Sequence, residues 1–188
     1  GFFMPTKKSI RQTLLSQRNA LSAHVVTLAA TKILEKIKQR KDFLAAEVVA
    51  LYSDFQNEVP THLIIDFLLA QNKTVALPVI KNKHMGFYVH AADAVVKNSY
   101  GITEPDLKCS RQVALAECDL VVLPGVAFDA RGGRVGRGAG FYDRALEKVV
   151  QCAQRPRLLA LAYDFQLIDS CPTEPHDVRM DEVLVVPT

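Results

Sequence analysis

Between Asp119 and Asp129 the chain reads LVVLPGVAF, nine positions without one polar side chain. A strand with one wet face alternates apolar and polar residues, whereas an unbroken apolar run fits a strand buried on both faces, as in the middle of a parallel sheet. VVALYS from Val48, RLLALAY from Arg157 and EVLVVP from Glu182 share this β-prone character, and TVALPVI from Thr74 and GFYVH from Gly86 add two further strands. Helical segments alternate with them. Ile10, Leu14 and Leu21 recur near helical spacing after Pro5 and Thr6, which suit a helix start. A second helix begins near Ser22, with Val26, Ala29, Ile33 and Ile37 along one face. THLIIDFLLAQ from Thr61 reads as a helix capped by its threonine, and GFYDRALEKVVQCA from Gly140 as one that turns Leu146, Val149 and Val150 toward a core.

KNSYGITEPD from Lys97 is dense in turn formers and reads as a surface loop. The whole predicts an α/β fold, a single-domain three-layer sandwich over residues 1–188 with a mainly parallel sheet and helices on both faces. Such sheets bind ligands at the carboxyl ends of their strands, which points to the loops after Tyr52, Leu123 and Tyr163.

Composition narrows the class. With 49% hydrophobic and 23% charged residues, the chain has a globular balance and too much apolar content for disorder. A net charge of +3 gives no general attraction for nucleic acid or membranes, so any positive patch must be local. Cys109, Cys118, Cys152 and Cys171 form no C-x-x-C pair, which argues against a zinc knuckle and for free thiols in a reducing cytoplasm. His24, His62, His84, His90 and His176 make no zinc-ligand pattern. No apolar run reaches the roughly 18 residues that span a bilayer, and no signal peptide is read. Gly1–Phe3, ahead of Met4, carry no structural weight in this reading.

The positive patch lies in GGRVGRGAGFYDR, residues 132–144, which holds five of the nine glycines and three arginines. Glycine lets a ligand approach backbone amides with no Cβ in the way, and a helix start adds free amides, so the segment suits an anion. Arg134 and Arg137 could add bidentate contacts to phosphate oxygens, and Asp143 could hold a magnesium ion shared with phosphates. The spacing is neither a P-loop, which needs Lys at Ala139, nor the dinucleotide fingerprint, which needs Gly at Phe141. A plain reading stands beside this one: a flexible turn with solvated arginines, and an aspartate favoured in a first helical turn.

LPGVAFD, RVGRGAGFYDR, the GITEP segment and HDVRMDEVL together resemble the 5-formyltetrahydrofolate cyclo-ligase family, also called methenyltetrahydrofolate synthetases, over most of the chain. That family carries Arg-Leu-Gly, a variable residue, Gly, another variable residue, Gly, two aromatics and Asp; residues 134–143 follow it with Val135 for Leu. The resemblance implies ATP binding by Lys7, Lys8 and Arg11 and by Arg134, Val135, Gly136, Arg137, Gly138, Ala139, Gly140, Phe141 and Tyr142. It implies folate binding by Tyr52, Glu58, Arg137, Gly138, Ala139, Gly140 and Phe141, and Mg2+ binding by Asp143 and Asp181. Arg134, Arg137 and Tyr142 are the implied catalytic residues. Asp54 is an alternative to Glu58, while Tyr52 and Tyr142 also suit core packing. Some relatives have Lys where Ala139 stands, so its contact falls here to Arg137.

The implied reaction converts 5-formyltetrahydrofolate, with ATP and Mg2+, to 5,10-methenyltetrahydrofolate, ADP and phosphate through phosphorylation of the formyl oxygen. A cytoplasmic monomer with no nucleic-acid or membrane partner is expected. Two rivals remain at this level: a sugar-phosphate isomerase or coenzyme A transferase on a related sheet, and an RNA-binding module built on the glycine–arginine interleaving.

Overall fold

The computed structural model describes residues 4–188; Gly1–Phe3, set aside above, lie outside the described residues. Three helices open the chain: α1 (Lys7–Asn19), α2 (Ala23–Lys38) and the short α3 (Lys41–Ala45). Thr6 Oγ1 accepts from the Ser9 amide at 3.1 Å and Ser22 Oγ from the Val25 amide at 3.2 Å, so both long helices start at side-chain caps where the residue pattern predicts. Then follow β1 (Val48–Ala50), α4 (His62–Ala70), β2 (Thr74–Lys81), β3 (His84–Val89), β4 (Val95–Lys97), β5 (Thr103–Pro105) and β6 (Gln112–Val113). The second half contains β7 (Leu120–Leu123), β8 (Ala127–Phe128), β9 (Arg134–Val135), α5 (Phe141–Glu147), β10 (Arg157–Tyr163) and β11 (Glu182–Val186).

The main sheet runs β11-β10-β7-β1-β2-β3-β6. Its first five strands are mutually parallel, and the β2–β3 and β3–β6 pairs are antiparallel, so the sheet is mainly parallel with an antiparallel margin. The apolar run divides at Pro124. Leu120–Leu123 is the middle one of the five parallel strands, buried throughout, and the chain then leaves the sheet to form the β8–β9 ribbon.

Helices cover both faces. Ile33 and Ile37 of α2, Phe43 of α3 and Ile64 and Leu68 of α4 pack against Val49, Leu51, Val122 and Leu161. On the other face Leu146 and Val149 meet Ala50, Ala76, Ala160 and Leu123. The alanines let α5 and its ring side chains lie close to the strands. Each fully buried Ile, Leu or Phe contributes about 1.5–3 kcal/mol, and truncating Ile33 or Ile37 to Ala costs about 2–5 kcal/mol.

Three local readings are corrected. Thr61 does not cap α4: its hydroxyl donates to the Tyr52 carbonyl at 2.8 Å and its amide to Asp54 at 3.0 Å, which ties the helix start to the end of β1. The helix after the glycines stops at Glu147, where the β-branched pair Val149–Val150 follows, and Val150 faces solvent while Val149 is buried. KNSYGITEPD is not a bare loop, because Lys97 and Thr103 are paired at the tip of the β4–β5 hairpin and Asn98 braces the turn through the Tyr100 and Ile102 amides.

Candidate functional site

A cleft of about 750 Å³ opens at the carboxyl ends of β1 and β7, and the expected loops after Tyr52 and Leu123 form its floor. One wall is the glycine loop. It leaves β9 at Gly136 and enters α5 through Gly140, with Gly138 and Gly140 at φ of +110° and +75°, conformations that side chains rarely adopt. Gly132 and Gly133 serve a different purpose. They belong to a turn built on Asp129, whose carboxylate accepts from the Arg131, Gly133 and Cys171 amides at 2.9, 2.8 and 2.8 Å. The glycines that line the cleft are therefore those of the second half of the motif, Gly136, Gly138 and Gly140. At seven residues, α5 is also too short to contribute a large dipole.

The arginines of the motif are ordered by specific partners. Arg134 is buried; its Nε donates to the Pro124 carbonyl at 2.7 Å, its guanidinium sits 3.4 Å from Asp143 and 5.5 Å from the Tyr142 ring centre. Arg137 is exposed, donates to Gln56 Oε1 at 2.7 Å and lies 5.1 Å from the Phe55 ring centre. Arg11 of α1 donates to the Gly136 carbonyl at 2.7 Å, so the helix expected to supply basic residues does hold the loop. Lys7 also lines the cleft and is paired with Asp177 at 3.1 Å. Lys8 is exposed and is not one of the cleft walls, and Val135 is buried in the β8–β9 ribbon.

The opposite wall follows β1. Tyr52 is buried, with its hydroxyl bonded to the Val59 carbonyl, so it is both core residue and cleft floor. Asp54 is spent on Thr61, whereas Glu58 faces the cleft, which separates the two carboxylates that sequence left open. Glu58 Oε1 accepts from the Phe55 amide at 2.8 Å. Burial pushes the Glu58 carboxyl up, and the Arg18 and Arg137 guanidiniums pull it back toward the charged form. Burial likewise raises the Tyr142 phenol, so it is a neutral hydroxyl beside Arg134.

Asp143 is a cleft residue with a partly open carboxylate, which suits a magnesium ion carried in on nucleotide phosphates, since that ion usually takes only one or two protein carboxylates. The structure does not bring Asp181 to it. Asp181 sits at the amino ends of the strands, where its carboxylate takes Arg155 at 2.7 Å and the Leu158 amide at 2.7 Å, and Leu158 is in register with Val121 near the start of β7. Among the described residues no group of three or more His, Cys, Asp or Glu side chains is arranged to hold a metal.

Residue-pattern reasoning missed Arg18, Phe55 and Tyr100. Arg18 is fully buried in the last turn of α1, and its spacing of seven from Arg11 was the available signal. Tyr100, at the β4–β5 tip, meets Phe55 edge-on at 5.7 Å and adds an aromatic rim to the cleft.

Comparison with known proteins agrees with this geometry. Residues 3–186 match the family described as the 5-formyltetrahydrofolate cyclo-ligase family. The 5-formyltetrahydrofolate cyclo-ligase of Haemophilus influenzae is 38% identical over 171 residues, 88% of each chain. That of Mus musculus is 30% identical over 95% of this chain and 92% of its own. In three dimensions the chain superposes on the 5,10-methenyltetrahydrofolate synthetase of Aquifex aeolicus with a TM-score of 0.82 and 27% identity, covering 95% of this chain and 89% of that one. The Mycoplasma pneumoniae synthetase, at 23% identity and a TM-score of 0.75, shares the fold.

Proposed function

Because the chain belongs to the 5-formyltetrahydrofolate cyclo-ligase family, and is thus a ligase, we propose that it closes 5-formyltetrahydrofolate to 5,10-methenyltetrahydrofolate with ATP and Mg2+, releasing ADP and phosphate. The observation that carries this reading is a single cleft with an arginine-studded glycine loop on one side and the buried carboxylate Glu58 on the other, joined by Arg137.

The chemical difficulty is that a formyl oxygen is a poor leaving group. The formyl oxygen attacks the γ-phosphorus of ATP, and ADP leaves. N10 of the folate then attacks the formyl carbon and loses its proton, the carbon–oxygen bond breaks, phosphate departs carrying that proton as hydrogen phosphate, and the ring is closed. Such transfers need positioning and charge stabilisation more than covalent help from the protein. Lys7, Arg11 and the amides of Gly136–Gly140 hold the nucleotide phosphates; Lys7 exchanges Asp177 for a phosphate oxygen. Arg137 turns from Gln56 to the transferring phosphoryl group. Arg134 is too firmly held by Pro124 and Asp143 to move, and it provides a fixed positive wall. Glu58 accepts hydrogen bonds from the amide and amine edge of the pterin, beside the rings of Tyr52 and Tyr142. Magnesium, when bound, neutralises charge on the phosphates; Asp143 is the residue here that fits it.

As a ligase the chain is neither an isomerase nor a coenzyme A transferase. The glycine–arginine run behind the RNA-binding reading forms a cleft wall, with Arg134 buried and Arg137 exposed. No helix among the described residues is long and apolar enough to cross a membrane. The test is stoichiometric: purified protein with 5-formyltetrahydrofolate and Mg2+-ATP should yield one methenyl product per ADP. Folded protein that neither binds Mg2+-ATP nor turns over this folate refutes the reading.

A further inference from the structure

A charged side chain buried behind the cleft has no role in the reaction as described so far. Arg18 is 1% exposed and ranks with Tyr52 and Tyr163 among the largest side chains fully enclosed by the fold. Enclosing a guanidinium is costly unless its charge and donors are used, and an apolar residue would fill the same space more cheaply. Two donors are used in a particular way: Nε bonds the Gln56 carbonyl at 3.2 Å and Nη1 the Gly125 carbonyl at 3.2 Å. Those carbonyls belong to the two loops, after β1 and after β7, that form the cleft floor. Asn57 returns the tie, donating to the Arg18 carbonyl at 3.1 Å and the Leu21 carbonyl at 3.3 Å. Gln56 and Asn57 both have left-handed backbones, with φ of +49° and +60°, so the segment leading into Glu58 is strained and needs such a restraint. The third nitrogen, Nη2, is buried without a hydrogen-bond partner among the described residues.

We infer that Arg18 is a positioning residue for folate binding: it clasps the two floor loops and sets a permanent positive charge behind Glu58. The inference rests on the proposed role of Glu58. The groups facing Glu58 are Arg18 from α1, Arg137 and Arg134 from the glycine segment, Asp54 in its own loop, and the phenols of Tyr52, Tyr142 and Tyr163. Arg137 is exposed and leaves for the phosphoryl group in the proposed reaction, while Arg134 is shared with Asp143. Of these three guanidiniums, Arg18 alone both stays in place and has no carboxylate partner among the described residues. With its charge removed, burial keeps Glu58 protonated to higher pH, and a protonated carboxyl is a poorer acceptor for the pterin edge.

The experiment is steady-state kinetics of Arg18→Met, Arg18→Lys, Asn57→Ala and Glu58→Gln from pH 5.5 to 9, with thermal melts of each. Arg18→Met is expected to raise the KM for 5-formyltetrahydrofolate about tenfold at pH 7, leave the KM for ATP within about twofold, and move the acid limb of kcat/KM for folate upward by about 1 pH unit. Arg18→Lys keeps the charge and restores the limb, with part of the KM increase remaining because lysine cannot span both carbonyls. Asn57→Ala loosens the clasp, raising the folate KM without moving the limb. A folded Arg18→Met enzyme with an unmoved limb, or with equal losses for both substrates, overturns the inference. Should that variant not fold, an unchanged folate KM in Arg18→Lys overturns it equally. Glu58→Gln separates the premises: retention of folate affinity there defeats the assignment of Glu58 itself, whereas its loss with normal Arg18 variants defeats only the clasp.

Discussion

Arg137 joins the two walls of the cleft: its guanidinium donates to Gln56 Oε1 at 2.7 Å and covers the Phe55 ring at 5.1 Å, although the two loops are far apart in sequence. In the proposed reaction this is the contact that Arg137 gives up when a nucleotide phosphate competes for it.

Removing that side chain should damage turnover far more than folding. For Arg137→Ala we expect kcat to fall about 10²–10³-fold through lost stabilisation of the phosphoryl group. The melting temperature should stay nearly unchanged, because the residue is exposed. Coupled measurement of ADP release checks this, and near-normal kcat would remove Arg137 from the chemistry.

The two aspartates paired by family resemblance should behave differently. Asp143→Asn should raise the Mg2+ concentration needed for half-maximal activity by about tenfold, since a carboxamide binds a hard cation poorly. Asp181→Asn should leave that concentration unchanged and lower stability by about 1 kcal/mol, through the weakened Arg155 and Leu158 contacts. Magnesium titrations of both variants decide; an equal effect at Asp181 would return it to the metal.

Asp129 makes the glycine turn acid-sensitive. Burial opposes its ionisation, but the Cys171, Gly133 and Arg131 amides outweigh burial and hold its carboxyl below the usual carboxylate value. A group depressed in the folded state contributes stability above its unfolded value, near pH 3.9, and that contribution is lost as pH falls through the folded value. Wild-type melting temperature should therefore drop steeply below about pH 4. Asp129→Ala should be less stable at pH 7 by about 2–4 kcal/mol and show a shallower acid dependence. Melts between pH 3 and 7 test both, and parallel curves would contradict the account.

The four thiols should fall into two kinetic classes. Burial pushes Cys118 and Cys171 up to about 12, so almost none of either is thiolate at pH 8, while Cys109 and Cys152 are exposed. A disulfide reagent should label two thiols quickly in the native protein and the other two only on unfolding. Four fast thiols in folded protein would show that Cys118 or Cys171 is more accessible than its packing allows.

Much of the architecture could be read before any coordinates. The apolar run at Leu120–Leu123, the capped starts at Thr6 and Ser22, and the strands at Arg157 and Glu182 appear where local pattern placed them, because burial on two faces and helix capping act over a few residues. Thr61 misled for the opposite reason: its hydroxyl had a partner at Tyr52, just after β1, that beats the local cap, and only the packed chain offers that partner. The helix after Gly140 also ends sooner than its apolar spacing suggests, at Glu147 ahead of the β-branched pair Val149–Val150.

Sequence alone determined the mainly parallel sheet, the glycine–arginine loop and the kind of ligand that loop suits, since periodicity, backbone freedom and charge are properties of neighbouring residues. Tertiary structure alone decided that Glu58 rather than Asp54 faces the cleft, that Asp181 stays at the far end of the strands, and that Arg18 is drawn into the interior behind Glu58. Each of those outcomes depends on which groups compete for one carboxylate or guanidinium across dozens of residues of chain, and that competition exists only once the sheet has brought its strand ends together.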